Sequence, residues 1–404
     1  MVASSYPKFP GDTTAPFIES IARAVAARGH RVDVLLPHHP DLRRPPGEPV
    51  RVVEYHYAPR EDWSLWGYAQ SLHADVRLRR GALLLAPLVA LALRRALGAE
   101  LAARRYDVVH AHWVVPNAAL VTDIVGAHGV PFVVSTHGSD IFLAERSWIV
   151  GAFARSALGA AGRVTACSDD LRQRAIALGA AERRTRTVPY GVDASAFGGT
   201  SAGADARHGD MRARLGTPEG ARLVLAVGRL VEKKGLGTLV EAAAGLSGAH
   251  VAIAGAGDLQ EPLQKRIEAL GAPVRLVGAL DRDTVASALA AADMVAVPSV
   301  VDAAGNVDGL PNTLLEAMAA GRAVVASRVA GIPDVVIDEV NGLLVPPGDA
   351  AAWRAALGRV IADDGLRARL GAAARATVLE RHGWDTAARR FEECYAEAAA
   401  LEAG

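Results

Sequence analysis

The run Asp308-Gly309-Leu310-Pro311-Asn312-Thr313-Leu314-Leu315-Glu316 is the strongest chemical constellation in the chain. It follows an apolar, strand-like segment, Met294 to Val297, and a polar loop, and a helix is expected to begin near Thr313. The first turn of a helix carries N–H groups without a helical partner, and beside a glycine such groups suit a diphosphate. Asp308 in the loop and Glu316 inside the helix would then flank that anion. A sugar diphosphate offers hydroxyl donors on both sides of its phosphates, one set for each carboxylate. The same residues also fit a purely structural motif, because Thr313-x-x-Glu316 is a capping box and Asp308-Gly309 a common turn.

Gly228-Arg229-Leu230 with Lys233-Lys234-Gly235 forms a second constellation, directly after the strand-like run Arg222 to Val227. Cations fixed at the C-terminal end of a strand can hold phosphate and offset the charge that builds on a departing diphosphate. A solvated basic turn is the plain alternative. Thr136-His137-Gly138-Ser139-Asp140 follows another such run, Pro131 to Ser135. There Gly138 lets the backbone approach a ligand and His137 can bond a sugar hydroxyl, unless Ser139 or Asp140 is only a helix N-cap. Gly11, in Phe9-Pro10-Gly11-Asp12, makes a turn that can pass an N–H to phosphate or acceptor. His110-Ala111-His112 puts two imidazoles on one face of a strand, but no third ligand stands at useful spacing, so no metal site is expected. Gly255-Ala256-Gly257 is half a dinucleotide fingerprint, and its third glycine would fall at Gln260, which speaks against hydride transfer.

Such residues need sheets to hold them. Short apolar runs alternate with Ala-rich helical stretches throughout, which predicts βαβ units and parallel sheets. Thr14 to Arg28 reads as a helix stopped by Gly29, and Arg31 to Leu36 and Asp107 to Trp113 read as strands. A second series follows, with strands over Arg222 to Val227, His250 to Ala254, Val274 to Val277, Met294 to Val297 and Ala323 to Ala326. Between the series, Gly198 to Gly209 is rich in Gly, Ala and Ser and reads as a linker. From Ala350 onward the chain is mostly helical. With 404 residues, two domains are expected. The boundaries read as 1–192 and 193–404, with a last helix over about 384–402 packing back on the first domain. Two facing Rossmann-like domains would leave an interdomain cleft as the default site.

Bulk composition narrows the classes. Hydrophobic residues make up 51% and charged residues 22%, a globular balance. Lys+Arg and Asp+Glu stand at 44 each, so net charge gives no pull toward nucleic acid. Two distant cysteines fit a reduced, cytoplasmic compartment, and no signal peptide is read at the N-terminus. The longest apolar run, Gly81 to Leu93, is interrupted by Pro87 and at roughly 13 residues falls short of the ~20 that span a bilayer. Arg77, Arg79 and Arg80 precede it, Arg94 and Arg95 follow it, and Trp63 and Trp66 lie upstream. That pattern over 77–95 suits peripheral contact at the inner face of a membrane, or else a buried helix with exposed ends.

Taken together, the chain resembles family-4 retaining glycosyltransferases of the GT-B fold. The markers run in order: Tyr6-Pro7 to Gly11, Gly29-His30, Asp107 to His112, His137-Gly138-x-Asp140, Pro189-Tyr190-Gly191-Val192-Asp193, Gly228-Arg229 with Lys234-Gly235, Gly255-Ala256-Gly257, Asp308 to Met318, Gly331-Ile332-Pro333 and Asn341 to Pro346. The resemblance implies transfer of a sugar from a nucleotide-sugar donor, UDP-linked before GDP-mannose, to a hydroxyl acceptor such as a glycan, a lipid-linked sugar or a small molecule. Arg229 and Lys234 would bind the diphosphate, beside Gly228. Glu316 would hold the ribose. Asp308 and the N–H groups of Gly309, Leu310, Pro311 and Asn312 would hold the sugar, with His137 on its hydroxyls. Gly11 would sit by the phosphates or acceptor, and His112 and Asp140 on the acceptor side. No cofactor or metal is expected. The remaining alternatives are an epimerase or hydrolase of the same fold and a non-catalytic sugar-nucleotide binder. Two departures stand out: Asp308 replaces the usual Glu, one methylene longer, and the first strand is expected to be unusually short, as if a few residues were missing from the start.

Overall fold

The structure is a computed structural model that describes residues 1–12, 14–64, 66–68, 72–73, 77–78, 80–197 and 204–402. The chain divides into two compact units, Met1–Tyr190 with Trp384–Gly404, and Gly191–Gly383.

The first unit runs α1 (Pro16–Ala27), β1 (Val32–Pro37), β2 (Val50–Tyr55), β3 (Leu72–His73), β4 (Arg77–Leu78), α2 (Arg80–Ala103), β5 (Val109–His112), α3 (Ala119–Ala127), β6 (Phe132–Thr136), α4 (Ser139–Arg146), α5 (Trp148–Ala160), β7 (Arg163–Ala166), α6 (Asp169–Ala177) and β8 (Thr185–Thr187). Strands β1 and β2 pair in parallel, and so do β5, β6, β7 and β8 in that order. The expected short first strand shrinks to Val2, which bridges Leu35 and Ala111 in parallel and so joins the two sets of strands. Its N–H donates to the His110 carbonyl at 2.8 Å, and its own carbonyl accepts from the His112 N–H at 2.9 Å.

Helix α1 shows why this layer closes. Pro16 opens it, where a missing N–H costs nothing, and Ile18, Ile21, Ala22 and Val25 recur at helical spacing on the buried face. That face packs with Val34 and Leu36 of β1 and with Ala388, Phe391 and Cys394 of the last helix, Trp384–Glu402. Arg28 also reaches Asp385 and Glu392 on that helix, each at 2.7 Å. Helix α2 continues through Pro87. It buries Leu85, Val89, Leu93 and Leu97 and leaves a stripe of Leu84, Leu88 and Leu91 exposed. Arg94 forks onto Asp123, both bonds at 2.6 Å, and Arg79 lies outside the described residues. Among the described residues, no helix is long and apolar enough to cross a membrane.

The second unit runs α7 (Ala204–Arg214), β9 (Arg222–Val227), α8 (Leu236–Ala243), β10 (Ala249–Ala254), α9 (Gln260–Leu270), β11 (Val274–Gly278), α10 (Arg282–Ala291), β12 (Met294–Val297), α11 (Asn312–Ala319), β13 (Ala323–Ser327), β14 (Leu343–Val345), α12 (Ala350–Ala362) and α13 (Asp364–Arg381). The last helix is then α14. Of the expected linker over 198–209, residues 198–203 lie outside the described ones, and the remainder is the start of α7 rather than loop. Six strands form one parallel sheet in the order β11-β10-β9-β12-β13-β14. Strands such as β12 are buried along their whole length, which is why they read as unbroken apolar runs instead of alternating ones. Trp353 of α12, fully buried, fills the core beside β9, β10 and β13.

Candidate functional site

The strand order of the second sheet reverses between β9 and β12. In parallel α/β sheets that switch point, at the carboxyl ends of the strands, is where ligands bind. A hollow lies there, lined by Gly228, Lys234, Leu236, Pro298, Ser299 and Thr313. The two strongest constellations of the sequence therefore meet at one place.

The β9 side is built by backbone contacts. Gly228 donates its N–H to the Ala254 carbonyl, and Leu230 donates to Ala256, both at 2.9 Å. Gly255 and Gly257 are there for closeness: a Cβ on Gly255 would lie 1.9 Å from the Gly228 carbonyl oxygen, and one on Gly257 2.5 Å from that of Leu230. The half fingerprint thus packs one loop against another. Arg229 is exposed. The chain then makes a single turn, Glu232–Lys234, and reaches Gly235 in the left-handed region at φ 62°. A Cβ there would collide with the Pro298 carbonyl at 1.9 Å, so only glycine lets this loop lie on the end of β12. The Val300 N–H donates to the Lys233 carbonyl at 2.9 Å and completes the join.

Both lysines of that turn converge on Asp308. Lys233 Nζ lies 3.1 Å from Oδ1 and Lys234 Nζ 2.5 Å from Oδ2. Burial alone would raise the pKa of Asp308, but the ammonium groups of Lys234 and Lys233 hold it well below the usual carboxylate range. The carboxylate is thus ionised and bridged by two cations.

Helix α11 begins at Asn312, one residue before the expected start. Pro311 occupies the N-cap position and supplies no side-chain bond, so Thr313 lies inside the helix and the capping box does not form. Glu316 is left for other work. It is partly buried, and that burial raises its pKa against the pull of Arg282 and Lys234. The expected row of N–H groups needs one correction: Pro311 has none. The loop offers Gly309, Leu310 and Asn312, and among the described residues none of these donates to a backbone carbonyl.

The other sequence candidates belong to the first unit. Gly11 is exposed at φ 89° with open space where a Cβ would point, so its backbone angle is what calls for glycine. Asp12 closes that loop, accepting the N–H groups of Lys8 at 2.8 Å and Thr14 at 3.1 Å. His137 follows β6 and has both ring nitrogens engaged, Nε2 with His112 Nδ1 at 3.2 Å and Nδ1 with the Tyr190 hydroxyl at 2.7 Å. Burial pushes its pKa down to about 3, so the ring is neutral. A sugar hydroxyl reaches a His137 nitrogen only by displacing one of those partners. His112 is fully buried, with Nε2 unpartnered. Its neighbour His110 bonds the Tyr395 hydroxyl at 2.9 Å and Ser135 Oγ at 2.6 Å. Asp140 spends its buried carboxylate on three backbone N–H groups, those of Val114 at 2.8 Å, Gly138 at 3.0 Å and His137 at 3.1 Å. It clamps the loop after β6 to the loop after β5.

Ser299 went unassigned in the sequence, while Lys233 was read only as part of the basic turn and Thr313 only as part of a capping box. Ser299 lies two residues past β12 and carried only its position as a signal. Its hydroxyl is buried in the hollow's wall without a hydrogen bond.

Comparison with known proteins gives a consistent picture. Residues 208–377 match the family described as glycosyl transferases group 1, and residues 13–191 match the glycosyl transferase 4-like domain. A D-inositol 3-phosphate glycosyltransferase of Xylanimonas cellulosilytica is 37% identical over 222 residues, 53% of this chain and 52% of that protein, so the match spans about half of the relative. The 2-deoxystreptamine N-acetyl-D-glucosaminyltransferase of Streptomyces fradiae is 31% identical over 310 residues, 71% of this chain and 70% of that one. Among solved structures, the sucrose-phosphate synthase from Thermosynechococcus elongatus aligns with TM-score 0.77 at 22% identity, over 95% of this chain and 93% of that one. Anabaena Alr3699/HepE in complex with UDP aligns with TM-score 0.73 at 21% identity, over 98% of both chains.

Proposed function

The chain belongs to the glycosyl transferases group 1 family, a glycosyltransferase of GT-B fold, and from that premise we propose a retaining enzyme that draws on a UDP-sugar, with GDP-mannose the second choice of donor. The observation that carries this reading is Lys234, which lines the hollow at the β9–β12 switch point, is paired with Asp308 at 2.5 Å and is near enough to Glu316 to act on its charge. Uridine is favoured because a structural neighbour holds UDP and, in another complex, UDP-glucose.

Each role follows from chemistry. Lys234 and Arg229 hold the diphosphate and offset the charge that grows on it as the sugar leaves. Glu316, ionised, accepts hydrogen bonds from the ribose hydroxyls. Asp308 and the N–H groups of Gly309, Leu310 and Asn312 bind the sugar. The departing phosphate takes the proton of the acceptor hydroxyl, so no side-chain nucleophile is needed and the configuration at the sugar is kept. Fixed lysines supply the positive charge, and the reaction is proposed to need neither metal nor cofactor. The acceptor is a hydroxyl of a glycan, a lipid-linked sugar or a small molecule, taken up by the first unit near Gly11, His112 and His137.

A thermal-shift series with UDP, GDP, ADP and NAD in EDTA tests the donor reading. At about 100 times its Kd a ligand adds ~2.7 kcal/mol, which for a unit of this size raises Tm by roughly 5–10 °C. A shift with UDP that persists in EDTA is expected. A shift with NAD alone, or one that appears only with added divalent metal, would overturn the reading.

Location at the cytoplasmic face of a membrane, through 77–95, belongs to the same proposal. The exposed stripe of Leu84, Leu88 and Leu91 supports it, with exposed Arg95 at its end. Sedimentation with phosphatidylglycerol vesicles should carry the protein down, and Leu84→Asp with Leu88→Asp should leave it in the supernatant. Equal sedimentation of both forms would count against this contact.

A further inference from the structure

We propose that Lys233 is a positioning residue of the donor site, holding Asp308 in place when Lys234 is drawn to the diphosphate. This rests on the donor-site reading above. Consecutive side chains on a turn ordinarily diverge, yet here both ammonium groups meet one carboxylate, Lys233 on Oδ1 at 3.1 Å and Lys234 on Oδ2 at 2.5 Å. All three side chains are largely withdrawn from solvent, at 13%, 18% and 14% exposure for Lys233, Lys234 and Asp308. A partly buried carboxylate stripped of its cation is costly, and more so beside an incoming diphosphate of like charge.

With Lys234 alone, donor binding would become a contest. The diphosphate and Asp308 would compete for one ammonium group, and a donor that won would leave Asp308 unpaired and repelled. Lys233 removes the contest. Its backbone is already tied to the far loop through the Val300 N–H, which fixes the root of the side chain. Two cations meet one carboxylate, so Lys234 can turn to the anion while Asp308 keeps a cation on Oδ1. When Lys234 turns to the phosphates, Oδ1 stays on Lys233 and Oδ2 becomes available to a sugar hydroxyl. The pairing also gives Asp308, shorter by a methylene than glutamate, a fixed position from which to act.

A double-mutant cycle in UDP affinity separates this from a direct contact. Calorimetric titration would compare wild type, Lys233→Met, Asp308→Asn and the double variant. Lys233→Met alone should raise the Kd for UDP about tenfold, the scale of one charged hydrogen bond. In the Asp308→Asn background the same change should move Kd less than about twofold, because the competitor is gone. Lys233→Arg keeps the charge and should restore most of the affinity. Should Lys233→Met not fold, Lys233→Gln replaces it in the cycle. Equal losses in both backgrounds would show Lys233 acting on the diphosphate directly and overturn the proposal, as would no loss in either. If wild type binds neither UDP nor GDP, the donor-site reading fails and takes this inference with it; if wild type binds and the cycle is additive, only the inference fails.

Discussion

Lys234→Ala is expected to lower turnover by about 10²–10³-fold, the cost of removing one fixed donor from developing charge in a site shielded from water. Two terms add in the same direction. The departing diphosphate loses the cation that stabilises it, and Asp308 loses its closest partner, at 2.5 Å, and is left beside an anion. Its other cation, Lys233, should keep the loop ordered, so the melting temperature should change far less than the rate. Lys234→Arg should recover only part of the loss, because a planar fork does not reproduce a point charge held between a carboxylate and a phosphate. Sugar transfer at the wild-type rate by a folded Lys234→Ala protein would remove this residue from the mechanism.

Glu316→Gln should weaken donor binding by about tenfold or more, since hydrogen bonds to a charged acceptor are the stronger kind. The pH dependence gives it a signature. Burial raises the Glu316 pKa above the ordinary 4.5. The ionised form accepts the ribose hydroxyls, so wild-type affinity is full above the raised pKa and falls as pH drops through it, at a higher pH than an ordinary glutamate would show. The glutamine variant should be flat over that window. The sign for stability is opposite. A carboxyl group whose folded pKa is raised favours the fold while it is protonated and loses that contribution as pH rises through the folded pKa. At neutral pH the wild type therefore carries a disfavoured ion that glutamine removes, and Glu316→Gln should melt no lower than wild type. Titration of UDP affinity against pH for both proteins, with melting curves alongside, checks each part. An acid limb in both proteins would assign it to another group.

The fold was legible where physics is local. Buried parallel strands such as Leu223 to Val227 are apolar throughout, and α1 repeats its apolar residues at helical spacing. Pairing was not legible. Lys233 and Lys234 are adjacent in sequence and give no hint that both reach a carboxylate more than seventy residues on, because that depends on Gly235 lying against Pro298. One residue of register changed the reading of Glu316: with the helix starting at Asn312, a cap becomes impossible and the carboxylate is released. Asp140 looked like either an N-cap or a ligand. It is a clamp between two loops, and the Val114 N–H it accepts comes from the turn after β5, which no local pattern brings near it. Gly255 and Gly257 resembled a phosphate loop for a related reason, since close backbone approach calls for glycine whether the neighbour is a ligand or another turn.

Because α14 completes the core around α1 and β1, the first unit is interrupted and the second is continuous. On the ribosome this sets an order of events. Ile18, Ile21 and Val25 emerge early, but Phe391 and Cys394, which help to cover them, are made only after all of Gly191–Gly383. At about 5–20 residues per second that wait is on the order of ten seconds or more. During it the second unit can fold as a whole while the first stands with one wall open and its apolar helix face only partly covered, by β1 and its neighbours. The part of the chain synthesised first is therefore the last to be finished, and it is the part a holding chaperone would find exposed in the cell.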